Sequence, residues 1–161
     1  MSERPSWERL RVLLVDDDQT FRGLGVGTLK RRADLSVEAV PTSREALDAL
    51  GERPVDAVVT DVSLPGSEDD GLDLYRAVRD RWSTLPVVFF TGSPSRALAG
   101  SVDLRGDPAA GYVRKGPLPE RYDALARWIE RAVERGRTVE RGRSPGTGGA
   151  SAARAIEWFC R

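Results

Sequence analysis

The sequence predicts an α/β fold: a doubly wound sheet of five parallel strands with helices on both faces. Two observations predict it. Five short apolar runs, near residues 10–15, 35–40, 56–60, 86–91 and 111–115, are spaced along the 161 residues with helix-period segments between most of them. Strands that alternate with helices build parallel sheets through crossover connections. Two of those runs, Asp56 to Thr60 and Pro86 to Thr91, are apolar almost throughout, the pattern of strands buried on both faces.

The first run, Leu10 to Val15, is broken only by Arg11 and stops at three acids, Asp16, Asp17 and Asp18. Asp18 or Thr20 is placed to cap the helix that follows, along which Phe21, Leu24, Thr28 and Leu29 recur at helical spacing. Gly23, Gly25 and Gly27 weaken that helix, each by about 1 kcal/mol against alanine. Leu35 to Val40 alternates like a strand with one wet face, near the sheet edge. Thr42 or Ser43 caps a helix from Arg44 to Leu50, ended by Gly51 and Pro54.

The third strand delivers Asp61 to its carboxyl end before Pro65-Gly66 turns the chain away. A helix from Gly71 to Trp82 presents Leu74, Tyr75, Val78 and Trp82 as a stripe. The fourth strand ends on Thr91 and Gly92. Between Ser93 and Pro108, Pro94, Gly100, Gly106 and Pro108 leave room for only a short or irregular helix from Arg96 to Leu104. Gly111 to Lys115 is a compact fifth strand. Glu120 to Glu134 sets Tyr122, Leu125, Trp128, Ile129, Ala132 and Val133 on one side and alternating Arg and Glu on the other, which is the clearest amphipathic helix in the chain.

The expected organisation is an N-terminal extension (1–9), one compact domain (10–135), a flexible Gly, Arg and Ser linker (136–150) and a short C-terminal segment (151–161) carrying Ile156, Trp158 and Phe159. Lys plus Arg and Asp plus Glu balance at 25 each, without the basic excess of a nucleic-acid binder, so no direct nucleic-acid contact is expected. There is no histidine, so imidazole general bases and a phosphohistidine on this chain are excluded. The single cysteine, Cys160, excludes an intramolecular disulfide and fits a reducing compartment. With no signal-peptide core and no membrane-length apolar run, a soluble, cytoplasmic protein is expected.

If strands one, three, four and five are parallel neighbours, their carboxyl ends bring Asp16, Asp17, Asp61, Thr91 and Lys115 to one rim, where open α/β sheets bind ligands. Three crowded carboxylates repel one another unless a cation offsets them. Mg²⁺ suits such a site, taking one or two carboxylates and keeping waters and phosphate oxygens. Lys115 adds a fixed charge, and Lys30 is the only other lysine in a chain that otherwise uses arginine. With both cations drawing on a phosphoryl group, a carboxylate can attack phosphorus and become an acyl phosphate. Asp61 is the candidate nucleophile, and the Thr91 hydroxyl is placed to contact a phosphoryl oxygen and sense the modified state.

Over Arg11 to Arg135 the sequence resembles the receiver domain of bacterial two-component response regulators. The resemblance rests on Leu13-Leu14-Val15-Asp16-Asp17-Asp18, Val58-Val59-Thr60-Asp61-Val62-Ser63-Leu64-Pro65-Gly66, Phe89-Phe90-Thr91-Gly92 and Gly111-Tyr112-Val113-Arg114-Lys115. It implies the CheY-like, flavodoxin-like strand order 2-1-3-4-5. It implies that Asp61 accepts phosphoryl from a partner histidine kinase or phosphotransfer protein, and that Asp16, Asp17, Asp61 and the main-chain carbonyl of Ser63 hold Mg²⁺. It makes Thr91 and Lys115 the phosphoryl contacts and Tyr112 an aromatic switch that turns inward as Thr91 moves. It also implies homodimerisation through the family's fourth helix, fifth strand and fifth helix. The sequence departs from the family at Leu64, in the longer acidic loop Ser67 to Asp70, at Gly116 where a cis-linked proline is usual, and in Arg96 to Pro108. Ser63 and Ser93 occupy the positions that shape water access to the acyl phosphate.

Two other readings stand beside this one. Asp16-Asp17-Asp18-Gln19-Thr20 fits the Asp-x-Asp-x-Thr pattern of haloacid-dehalogenase-type phosphatases, with Asp16 as nucleophile and Asp18 as acid/base, although that family needs an acidic pair on a further strand after the lysine, where Glu120 and Asp123 fall on a helix, and Asp61 has no role there. A phosphorylation-independent pseudo-receiver acting as a binding module is the other. No DNA-binding or enzymatic domain is recognisable after Glu134, so the chain is expected to act through protein contacts or to be a piece of a longer one, with an unidentified target. Trp158 and Phe159 offer a segment for docking on the receiver or on a partner in one phosphorylation state.

Overall fold

The computed structural model describes residues 9–32, 35–62, 64, 70–92, 106–115 and 120–142. Along the chain these form β1 (Leu10–Val15), α1 (Gln19–Arg32), β2 (Leu35–Val40), α2 (Ser43–Glu52), β3 (Ala57–Thr60), α3 (Asp70–Arg81), β4 (Val87–Thr91), β5 (Ala110–Arg114) and α4 (Glu120–Gly142). The strands make one sheet in the order β2-β1-β3-β4-β5, and every pairing is parallel. This is the order that the family resemblance implied. Ser63, Ser67 to Asp69, Ser93 to Leu104, Gly116 and the segment carrying Trp158 and Phe159 lie outside the described residues.

Strand alternation sorts the core into two layers. Leu13, Val15, Val58, Val87 and Phe89 face one way and pack with Ala46, Ala49 and Leu50 of α2 and Leu72, Leu74, Tyr75 and Val78 of α3. Val12, Leu14, Val59, Val88 and Phe90 face the other way, toward Leu29 of α1 and Tyr122, Leu125, Ala126, Ile129 and Val133 of α4. Successive side chains of one strand therefore serve opposite layers, which is why the central strands are apolar throughout. Residues such as Val58, Val59, Val88 and Phe89 are fully buried, and each contributes about 1.5–3 kcal/mol of transfer free energy.

Local signals settle the helix starts. Asp18 caps α1, its Oδ1 accepting from the main-chain nitrogens of Thr20 (2.9 Å) and Phe21 (3.2 Å). Thr42 caps α2 by accepting from Glu45 N at 3.1 Å. In α1 the packed stripe is not the expected one. Leu24 is 46% exposed, whereas Gly25 is buried, and a Cβ there would lie 2.9 Å from Leu14 Cδ2. The glycine lets α1 approach β1, and the inward face runs Phe21, Gly25, Leu29 at spacings of four.

The last helix departs from its expected end at Glu134. It continues to Gly142, so residues 136–142, expected as the start of a flexible linker, are helical. One interior glycine, Gly136, costs about 1 kcal/mol, and the helix formers on both sides of it outweigh that.

Candidate functional site

Three side chains meet at the carboxyl edge of the sheet because the hydrogen-bond ladder extends one step beyond each strand. Asp16 N donates to Val40 O at 3.1 Å, Asp61 N to Val15 O at 3.2 Å and Lys115 N to Thr91 O at 2.9 Å. Each residue just past a strand is thus still held by its neighbour's last carbonyl. The register Val15↔Thr60 and Thr91↔Arg114 fixes their relative heights.

At the centre, Lys115 Nζ lies 3.0 Å from Asp16 Oδ2 and 3.0 Å from Asp61 Oδ2. The three side chains are 12%, 7% and 19% exposed respectively, so the pairing is sheltered while Asp61 keeps access to solvent. Burial disfavours the lysine's charge, but the Asp61 and Asp16 carboxylates outweigh it and hold the ammonium above its ordinary range. Asp61 Oδ1 accepts from Val62 N at 2.7 Å, and its main-chain carbonyl accepts from Thr60 Oγ1 at 2.8 Å. Asp16 Oδ1 accepts from Asp18 N at 2.9 Å, and the Asp16 carbonyl accepts from Arg22 Nη1 at 2.8 Å. Both carboxylates are therefore oriented by main-chain donors.

Thr91 is buried, 6% exposed, as the last residue of β4 on the same rim. Asp17 follows Asp16 and is exposed. Tyr112 is 40% exposed on the edge strand β5, its side chain turned to solvent rather than into the core. Ser63 lies outside the described residues. Among the described residues no three acidic groups close into a ready-made metal cage. The donor set is instead a pair of carboxylates with a third beside it, which fits a hard cation that keeps part of its water shell better than one needing an all-protein cage.

Three contributors were not read from the sequence. Arg22 ties the first turn of α1 to the end of β1. Phe21 brings its ring to 4.8 Å from Lys115 Nζ. Gly71, in the first turn of α3, lies directly against the Asp61 main chain. Of these, Gly71 left a trace, since a glycine in the first turn of a helix is a poor helix former and signals close approach. Asp18, the acid/base of the phosphatase reading, has its Oδ1 committed to capping α1.

Comparison with known proteins agrees with this geometry. The family model for the response regulator receiver domain matches residues 12–119. An NtrX-like response regulator of Rickettsia felis is 33% identical over 126 residues, which is 78% of this chain and 25% of that protein. The DNA-binding transcriptional regulator NtrC of Klebsiella pneumoniae is 31% identical over 120 residues, covering 74% of this chain and 24% of that protein. The chain spans about a quarter of the length of these curated relatives. Among solved structures, NtrX from Brucella abortus has a TM-score of 0.69 at 26% identity, covering 91% of this chain and 33% of that one. Chemotaxis response regulator CheY4 of Vibrio cholerae has a TM-score of 0.63 at 24% identity, covering 75% and 98%, and shows the shared fold. With the family model spanning most of the domain and the CheY-like sheet carrying Asp16, Asp61 and Lys115 at its carboxyl edge, the chain belongs to the response regulator receiver domains of bacterial two-component systems.

Proposed function

We propose that Asp61 is the phosphoacceptor of this receiver, taking a phosphoryl group from a partner histidine kinase or phosphotransfer protein. The observation that carries the reading is the Lys115 ammonium held between the Asp16 and Asp61 carboxylates at 3.0 Å from each. An Asp61 oxygen attacks phosphorus, the bond from phosphorus to the donor nitrogen breaks, and an acyl phosphate forms. Lys115 is then a preset positive charge for the phosphoryl oxygens, in a site dry enough for that charge to count. Asp16, Asp17, Asp61 and the Ser63 carbonyl are the residues that would hold Mg²⁺, which when bound neutralises phosphoryl charge.

The domain is a signalling module that assists its own phosphorylation and dephosphorylation rather than a turnover enzyme. Thr91 contacts the phosphoryl group, and Tyr112, now turned outward, moves inward with it. That motion changes the face carrying β5 and α4, where homodimerisation or target docking would occur. The working division is an extension at 1–9, the receiver at 10–135, a linker within 136–150 whose first part is helical, and a C-terminal segment at 151–161. Among the described residues no helix is long and apolar enough to cross a membrane, and a cytoplasmic setting is the one that suits exchange with a histidine kinase.

The test is incubation with a small-molecule phosphodonor and Mg²⁺, followed by intact mass of the wild type, Asp61→Asn and Asp16→Asn. Mg²⁺-dependent labelling lost in Asp61→Asn supports the phosphoacceptor. Phosphate release abolished by Asp16→Asn points to the phosphatase, and absence of labelling to the pseudo-receiver.

A further inference from the structure

Lys115 is held by more than its two carboxylates. Its Nζ lies 4.8 Å from the centre of the Phe21 ring and 5.5 Å from that of Phe90. A cation this close to an aromatic face is attracted by the ring's quadrupole, more strongly where water is excluded. Phe90 belongs to the core, 4% exposed and tilted against Tyr122 with ring centres 5.7 Å apart. Phe21 is placed differently. It stands in the first turn of α1, where its own main-chain nitrogen is held by the Asp18 cap. The next residue, Arg22, donates to the Asp16 carbonyl. The Arg121 guanidinium, from the first turn of α4, approaches the same Phe21 ring at 5.9 Å. One ring therefore links the acid end of β1, the lysine after β5 and the start of α4.

We propose that Phe21 is a positioning residue for Lys115, fixing the ammonium at the phosphoryl site, with Arg121 closing on the same ring. This rests on the phosphoacceptor reading. A lysine side chain is long and loses much rotamer freedom when fixed. Of the two carboxylates that fix it, Asp16 is unchanged by the reaction, while Asp61 becomes an acyl phosphate and its negative charge moves out to the phosphoryl oxygens. The Phe21 ring stays the same before and after transfer, so Lys115 keeps its place while its partner changes. Position matters at this level, since small misplacements of a charge-stabilising group cost rate.

The chain has only two lysines, Lys30 and Lys115, so ¹³Cε-lysine labelling gives a probe and an exposed internal control. The wild type, Phe21→Leu, Phe21→Met and Phe21→Trp are compared by lysine side-chain relaxation and by labelling with a small phosphodonor. The expected result for Leu and Met is a more mobile Lys115 with Lys30 unchanged. Their maximal labelling rate should fall about tenfold while the half-saturating donor concentration stays within about twofold. Phe21→Trp should restore both readouts. Unchanged Lys115 mobility and rate in the Leu and Met variants, with folding verified by thermal unfolding, would overturn the proposal, as would failure of folded Phe21→Trp to restore them. A wild type that takes no label removes the phosphoacceptor reading and this proposal's catalytic part with it, and the relaxation data still decide whether Phe21 holds Lys115.

Discussion

Gly71, the second residue of α3, lies so close to the main-chain carbonyl oxygen of Asp61 that an added Cβ would overlap it, and would sit 2.8 Å from both Val62 Cα and Val62 O. Gly71 N also donates to Val62 O at 2.9 Å. The start of α3 is thus seated on the residue that carries the proposed phosphoacceptor carboxylate.

Gly71→Ala is expected to destabilise the domain by about 1–3 kcal/mol, because backbone must move to admit the methyl group, and to slow phosphorylation by shifting Asp61. Gly23→Ala is the matched control. It lies in α1 with nothing within 4 Å of an added Cβ, and should stabilise by about 0.5–1 kcal/mol. Chemical denaturation of both variants checks the pair, and equal signs for the two would refute the close-approach argument.

Removing the charge of Lys115 leaves the Asp16 and Asp61 carboxylates facing each other without a cation between them. Lys115→Met, which keeps most of the side-chain volume, should therefore cost on the order of 2 kcal/mol in the absence of divalent ions, less than for a fully buried pair because Asp61 is partly open. Mg²⁺ should raise the melting temperature of the variant more than that of the wild type, since it then supplies the missing positive charge. Thermal unfolding in chelator and in Mg²⁺ measures both. Equal melting temperatures of the two proteins in chelator would show that the pairing contributes nothing to stability.

How much of this was legible follows from what kind of signal each residue leaves. Asp16, Asp61, Thr91 and Lys115 could be placed on one rim because each ends or follows a short apolar run, and parallel topology sends all carboxyl ends the same way. The edge position of β2 was readable from the alternation in Leu35 to Val40. Phe21 against Lys115 and Arg22 on the Asp16 carbonyl were not readable, since they depend on how far α1 leans toward the sheet. That lean is set by Gly25 against Leu14, and a pattern search that scores apolar side chains assigns a glycine no part in a packed face. The same blindness led to Leu24, which is exposed. At α4 composition misleads in the other direction, as the Gly, Arg and Ser content from Gly136 on suggests a linker where the helix continues to Gly142.

At the opposite edge of the sheet, Asp107 joins α3 to the entry of β5. Its Oδ2 accepts from Tyr75 OH at 2.5 Å and from Arg79 Nε, its Oδ1 accepts from Ala109 N at 2.9 Å, and Arg79 Nη1 donates on to Trp82 O at 3.1 Å and Leu85 O at 2.5 Å. Burial, the hydrogen bond to Asp107 and that residue's charge push the Tyr75 hydroxyl from 10.0 up to about 12. Burial alone would raise the Asp107 carboxyl, but the Arg79 and Tyr75 hydrogen bonds outweigh it and hold it below its usual range. The signs then follow from linkage. Tyr75, raised on folding, contributes stability in full below pH 10 and loses it as pH climbs toward about 12, by about 3 kcal/mol in all. Asp107, lowered on folding, contributes above the ordinary carboxylate range and loses its contribution as pH falls through it. Tyr75→Phe should therefore be less stable than wild type at neutral pH by about 1 kcal/mol, with the gap closing above pH 10 and then reversing, because ionisation costs the wild type more than the gap. Asp107→Asn should flatten the acid limb while leaving the active-site edge untouched. Denaturant midpoints across pH for the wild type and the two variants give the differences directly, and Lys115 and Tyr122, whose affinities for protons are also raised, cancel from them. A gap for Tyr75→Phe that stays constant through the alkaline limb would show that Tyr75 does not couple its proton to folding.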